Sequence, residues 1–140
     1  MNDIIIHKIQ SIQRCVARAR EEYQGNPAGF ETDFTKQDAA IFNVLRALEL
    51  AIDLANHIIK SRGMGIPASS AESFELLQRR RVIDLRLTEE LKNMVHFRNV
   101  AIHDYQRLDL NILKSVIVSG LDDLVLFGDR IREFVDAPAS

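Results

Sequence analysis

Apolar residues recur at helical spacing along most of the chain. From Asp3 to Tyr23, the residues Ile5, Ile9, Ile12, Val16, Ala19 and Tyr23 alternate steps of four and three, which lines them up on one face of a helix. The segment QGNPAGF at 24–30 is expected to end that helix, because Gly, Asn and Pro do not propagate the pattern. Thr35 is the expected cap of a second helix, with Asp38 near its positive end. Its stripe is Ile41, Leu45, Leu48, Ile52, Ala55 and Ile59. SRGMGIPASS at 61–70 breaks the pattern, and Ser69 or Ser70 caps a short helix that carries Phe74 and Leu77 and ends near Arg80. Thr88, followed by Glu89 and Glu90, marks the start of the next helix, with Leu87, Leu91, Met94, Val95, Ala101 and Ile102 as its stripe. Asp109 caps the last helix. Leu110, Leu113, Ile117, Leu121, Leu124, Ile131 and Phe134 carry it to a tail at 136–140 expected to fray.

Four long helices and one short one, each with a single apolar face, predict an all-α, up-and-down helical bundle. At 140 residues the chain is long enough for one domain with a real core, so 1–140 reads as a single domain. Composition agrees: 46% of residues are hydrophobic, Trp is absent, and three prolines and six glycines are the only strong breakers. There is no internal repeat and no strand-period alternation.

Charge narrows the partners. A formal net charge of −2 gives no global attraction to nucleic acid, so any such contact must be local. Of the 18 basic residues 13 are Arg, the better residue for two-pronged phosphate contacts. The single cysteine, Cys15, excludes an internal disulfide and suits a reducing compartment. The start, MNDIIIHKIQ, does not read as a secretion signal, and no apolar run reaches membrane-spanning length, so a cytoplasmic location is expected.

One stretch departs from the pattern. In RNVAIHDY at 98–105, the position in phase between Val95 and Ile102 is Arg98. An unpaired buried arginine would cost several kcal/mol, on the order of a lost ion pair. Arg98 therefore either reaches out to water or faces a cleft that expects an anion. His103 lies five residues on, about 140° round an ideal helix at about 100° per residue. The helix is expected to end between 101 and 105, with the following turn swinging His103 and Tyr105 back towards Arg98. A histidine that moves a proton near neutral pH and an arginine that neutralises phosphate charge suit phosphoryl transfer without a metal. In RNA the 2′-hydroxyl is a built-in nucleophile. One histidine serves one proton-transfer role at a time, so a symmetric dimer would supply a second.

RNVAIHDY matches the Arg, four residues, His, any residue, Tyr motif of HEPN ribonucleases and resembles in particular the HepT toxins of prokaryotic toxin–antitoxin modules. LANHIIKSRGMGIPASSAESFELL at 54–77, VIDLRLTEELKNMVHFRNVAIHDY at 82–105 and LDDLVLF at 121–127 are similar to HepT proteins too, so the resemblance covers nearly the whole chain. It implies an all-helical HEPN homodimer with the motif at the dimer cleft, and a metal-independent endoribonuclease toxic to its host until neutralised. Carried over by residue, Arg98 would stabilise phosphate charge and His103 would transfer protons. Asn99 would aid positioning, and Tyr105 would orient substrate or the histidine. HepT toxins are paired with MntA, a nucleotidyltransferase antitoxin that transfers AMP from ATP to the motif tyrosine, here Tyr105. No metal and no cofactor are implied.

Other candidates are weaker. Asp53 and His57 share a helix face without an evident third metal ligand, and Asn56 lies beside them. His96 and His103 are seven apart, but the helix is expected to end first. Arg79, Arg80 and Arg81, with Arg86 beyond, form the densest basic patch, either a solvated helix end or an RNA-backbone contact. Arg14 and Arg18, one turn apart, are candidates for pairing with acidic residues. Cys15 reads as a small hydrophobe, and GMG at 63–65 follows no strand and is no phosphate loop. Two rival readings keep the fold but not the cleavage: a non-catalytic HEPN adaptor for a nucleotidyltransferase, and a bundle in which Arg98 holds a free nucleotide.

Overall fold

The computed structural model describes residues 2–137. Its helices are α1 (Asp3–Gln24), α2 (Pro27–Phe30), α3 (Phe34–Ser61), α4 (Ser70–Arg79), α5 (Leu85–His103), α6 (Leu110–Ser115) and α7 (Leu121–Asp136). A 3₁₀ turn at Tyr105–Arg107 follows α5, and a π-helical turn at Val116–Gly120 joins α6 to α7. There is no strand among the described residues, and no described helix is long and apolar enough to cross a membrane. The fold is all-α, as its hydrophobic pattern predicts.

Side chains set most of the helix starts. Asn2, Asp33, Ser69, Asp84 and Asp109 each accept a hydrogen bond from a backbone N–H in the first turn of the helix that follows. Two of these correct the sequence reading. Asp33, not Thr35, caps α3, accepting from the Lys36 N–H at 3.1 Å. Asp84, not Thr88, caps α5. Thr88 is buried one turn in, and its hydroxyl donates to the Asp84 carbonyl at 2.7 Å. Aspartate wins both ends because its charged oxygen caps and also meets the positive helix terminus. A third correction is α2. Proline at the first helical position costs no hydrogen bond, and Asn26 caps the turn through Gly29, so 27–30 is helical instead of a plain loop.

The extensive antiparallel contact of α1 with α3 forms one side of the bundle. On it, α4 packs against α3 and α5, and α7 closes over α1, α3 and α5. Ile9, Ile12, Leu48, Leu54, Ile58, Leu77, Leu87 and Leu91 are fully buried. Two edge-to-face aromatic pairs fasten the ends, Tyr23 on Phe30 at 5.2 Å and Phe74 on Phe127 at 5.5 Å. Asp136 still belongs to α7, and residues 138–140 of the expected tail lie outside the described residues.

The phase of α5 also differs from expectation. Phe97, 5% exposed, takes the core position between Met94 and Ala101, whereas Ile102 is 58% exposed. Arg98 is pushed to the edge of the buried face. The stripe is thus shifted by one residue near the end of α5, where an aromatic ring outcompetes a guanidinium for the interior.

Both α3 and α4 end in the same wrap. After α3 the Met64 N–H donates to the Ile59 carbonyl at 2.9 Å, with Gly63 at φ 62. After α4 the Val82 N–H donates to the Leu77 carbonyl at 3.0 Å, with Arg81 at φ 62. The left-handed residue is glycine in the first case and an arginine in the second, where its Cβ is strained. Arg81→Gly is therefore expected to raise unfolding stability by about 1 kcal/mol. Urea denaturation checks this; an unchanged or lowered midpoint would mean that Arg81 makes a compensating interaction.

Candidate functional site

The motif sits where α5 ends. Arg98 lies one and a half turns before the end, His103 is the last helical residue, and Tyr105 opens the 3₁₀ turn. The Asp104 N–H donates to the Val100 carbonyl at 2.8 Å and closes the helix, inside the expected window.

The turn does not bring the three side chains together by direct contact. Arg98 is half-buried, and its Nη1 donates to Glu49 Oε1 of α3 at 3.0 Å and to the Ser70 hydroxyl of α4 at 3.4 Å. Its Nε and Nη2 lie 3.4 and 3.3 Å from Asn99 Oδ1. So Arg98 neither snorkels to water nor waits unpaired: a carboxylate from another helix holds its guanidinium. Tyr105 reaches the other way, and its hydroxyl donates to Asp38 Oδ1 of α3. His103 is exposed.

Asp38 and Glu49 thus anchor the two ends of the motif on one helix. They lie on the same face of α3 at about 100° per residue, separated by about 16 Å along its axis. Both contacts bridge distant parts of the sequence, which is why residue spacing gave no sign of either. The hydrogen bond to Asp38, with burial and the carboxylate's charge adding to it, pushes the Tyr105 phenol up to about 12.

The remaining candidates scatter. The Lys8 ammonium lies 3.9 Å from Asp53, and the Asn56 amide oxygen accepts from the Ser73 hydroxyl at 2.6 Å. Since α5 ends at His103 and not before it, His96 and His103 share a face two turns apart. No cluster of three His, Cys, Asp or Glu side chains suited to a metal occurs among the described residues. Arg79 sits 4.0 Å from Glu75, Arg80 donates to the Arg62 carbonyl at 3.4 Å, and Arg86 pairs with Asp123 at 3.1 Å. Arg79 and Arg80 lie at the far end of α4 from Ser70 and Arg86 in the first turn of α5, which runs about 20 Å before it reaches Arg98. Arg14 does not find an acidic partner; it donates to the Ser11 hydroxyl at 2.9 Å. Buried Cys15 and exposed Arg14 and Arg18 line a groove between α1 and α3.

Residues 5–131 match the family model for ribonuclease HepT-like proteins. The chain belongs to that family. It is 46% identical over 132 residues to the mRNA nuclease HepT of Shewanella oneidensis, covering 94% of this chain and 98% of that one. Among solved structures it is similar to the tri-AMPylated Shewanella oneidensis HEPN toxin in complex with an MNT antitoxin. That match has a TM-score of 0.90 at 46% identity, over 94% of this chain and 98% of the other. A toxin–antitoxin structure with AMP-PNP matches with a TM-score of 0.89 at 46% identity, over 94% and 99% of the two chains. The HEPN bundle and the HepT kinship expected from RNVAIHDY are both borne out.

Because the folded pKa of Tyr105 is raised above the ordinary tyrosine value of about 10, the stability it contributes is fully present below that pH. It is lost as pH rises towards about 12. Asp38→Ala is expected to bring Tyr105 ionisation back towards the ordinary value. The chain has two tyrosines and no Trp, so an absorbance titration compared with Tyr105→Phe reads it directly. An unshifted Tyr105 in the Asp38 variant would show that the hydroxyl is not held there.

Proposed function

We propose that the protein is a toxin of a toxin–antitoxin module, a metal-independent endoribonuclease that acts as a homodimer. In this reading a cognate MntA-type nucleotidyltransferase silences it by adding AMP to Tyr105. The observation that carries the reading is the complete Arg98, His103 and Tyr105 set at the end of α5 in a chain of the HepT-like family. The named relatives, an mRNA nuclease and a toxin held with its MNT antitoxin, support it.

The reading assigns each residue a chemical role. Arg98 is held in place by Glu49, Ser70 and Asn99, which leaves one Nη2 N–H to offer a phosphate and little side-chain freedom to lose on binding it. The 2′-oxygen of RNA attacks the adjacent phosphorus as one His103 takes its proton. The 5′-oxygen leaves with a proton from the His103 of the second copy. The products are a 2′,3′-cyclic phosphate and a 5′-hydroxyl, with no redox change. Arg98 offsets the added charge on phosphorus, and Asn99 steadies the guanidinium through its amide oxygen. AMP on Tyr105 would add bulk and negative charge where RNA phosphates must pass. A backbone contact by Arg79, Arg80 and Arg81 would require a strand lying along most of α5. The two-protein module would work in the cytoplasm, where its RNA substrate is found.

A non-catalytic adaptor is the second reading, favoured by the fact that Arg98 is already neutralised by Glu49. Cleavage assays in EDTA separate the two. The wild type is expected to cut RNA, and His103→Ala and Arg98→Ala are each expected to lose at least about a hundredfold in rate. Equal cleavage by all three would defeat the assignment, and no cleavage by unmodified wild type would favour the adaptor. With the cognate nucleotidyltransferase and ATP, the wild type is expected to gain one or more AMP masses and Tyr105→Phe none. A Phe variant that gains them in full would refute the site.

A further inference from the structure

The groove between α1 and α3 has a cavity volume of about 610 Å³ and is lined by Arg14, Arg18, Asp38, Phe42, Asn43 and Arg46, among others. Exposed arginines without an ion pair occur elsewhere among the described residues, at Arg62, Arg80 and Arg81, but here three of them face one groove. Arg20, Arg86 and Arg98 are ion-paired to Asp122, Asp123 and Glu49. Arg14, Arg18 and Arg46 are exposed, and among the described residues none of them has an ion pair. Like charges one helical turn apart, as at Arg14 and Arg18, destabilise a helix. A chain of net charge −2 here gathers three guanidiniums against one carboxylate, Asp38.

An aromatic ring stands among them. Phe42 is 62% exposed, and it lies one turn from Arg46 on one side and from Asp38 on the other. Exposed cations interleaved with an exposed aromatic are what a single strand of nucleic acid needs, with phosphates on the charges and a base stacked on the ring. Position agrees with chemistry. Asp38, at one end of the groove, holds the Tyr105 hydroxyl, and Glu49, one turn beyond Arg46, holds Arg98. The groove therefore occupies the α3 face between the two ends of the motif.

We infer that this groove is the track for the single-stranded RNA substrate, with Arg14, Arg18 and Arg46 binding phosphates and Phe42 stacking a base. The inference rests on the ribonuclease reading and deepens it by naming the substrate form and the residues that seat it. It places the principal RNA contact here, not at Arg79, Arg80 and Arg81.

The test uses a labelled, fully 2′-O-methylated single-stranded RNA, which binds without being cut, measured by fluorescence anisotropy over a range of salt. The proteins are the wild type, Arg14→Gln with Arg18→Gln, Arg46→Gln and Phe42→Ala, each checked for folding by circular dichroism. All these positions except Phe42 exchange one exposed polar group for another. Each variant is expected to bind about tenfold more weakly. The arginine variants are expected to lose about 0.7 of salt slope per phosphate contact removed, and Phe42→Ala to keep the wild-type slope. With cleavable RNA, KM should rise more than kcat falls.

Wild-type affinity and slope in all variants, alongside active wild type, would overturn the groove and leave the ribonuclease reading standing. Wild type that neither cuts nor binds RNA would remove both. Variants that bind RNA normally but no longer associate with the nucleotidyltransferase would assign the groove to the protein partner and overturn the inference.

Discussion

Helix α3 must bury twelve of its residues, Ala40 to Ile59, against α1, α4, α5 and α7. A helix covered on so much of its circumference leaves only a narrow ridge to water. On α3 that ridge runs through Asp38, Phe42, Arg46, Glu49 and Asp53, each three or four residues from the next. Register is then strict, because rotating α3 by one residue would put isoleucines in water and charges in the core. Through that register the hydrophobic seam fixes Asp38 against Tyr105 and Glu49 against Arg98, although neither carboxylate is near the motif in sequence.

The motif side chains are therefore held by tertiary contacts more than by their own helix. In α5 the core takes Phe97, and Arg98 keeps a half-buried position because Glu49 and Ser70 satisfy it. An arginine at the margin of a core is tolerable when its partners are supplied by rigid helices, since little side-chain entropy remains to be lost. Nearby polar groups follow the same rule. Buried Asn43 donates to the Ala39 carbonyl at 2.9 Å, and Ser73 to Asn56 at 2.6 Å. Among the described residues no buried side-chain polar atom lacks a partner.

The sequence displayed what is local. Periodicity located the long helices, Gly63 and Pro67 marked the break after α3, and Asp109 announced α6. The Arg98, His103, Tyr105 spacing pointed to the family before any fold was known. What depends on competition between neighbours was less legible. Asp33 and Asp84 outcompeted nearby threonines as caps, Phe97 displaced Arg98 from the core position, and a π-helical turn interrupted the last helix. The residues that serve the motif from α3 were not legible at all. Asp38 and Glu49 look like ordinary solvent-facing charges until α5 is laid beside them.

The contact between Tyr105 and Asp38 has a consequence for how the turn after α5 behaves. The phenol is the donor, and the bond exists only while that oxygen carries its hydrogen. Any ester formed at the oxygen removes the hydrogen for good. If the ester is a phosphate, it also sets an anion beside a carboxylate. The attraction becomes a repulsion at a single atom, and the 3₁₀ turn at Tyr105–Arg107 loses its mooring to α3. Covalent modification there would act as an unlatching as well as a plug: the segment carrying the mark would be driven off the helix that had held it.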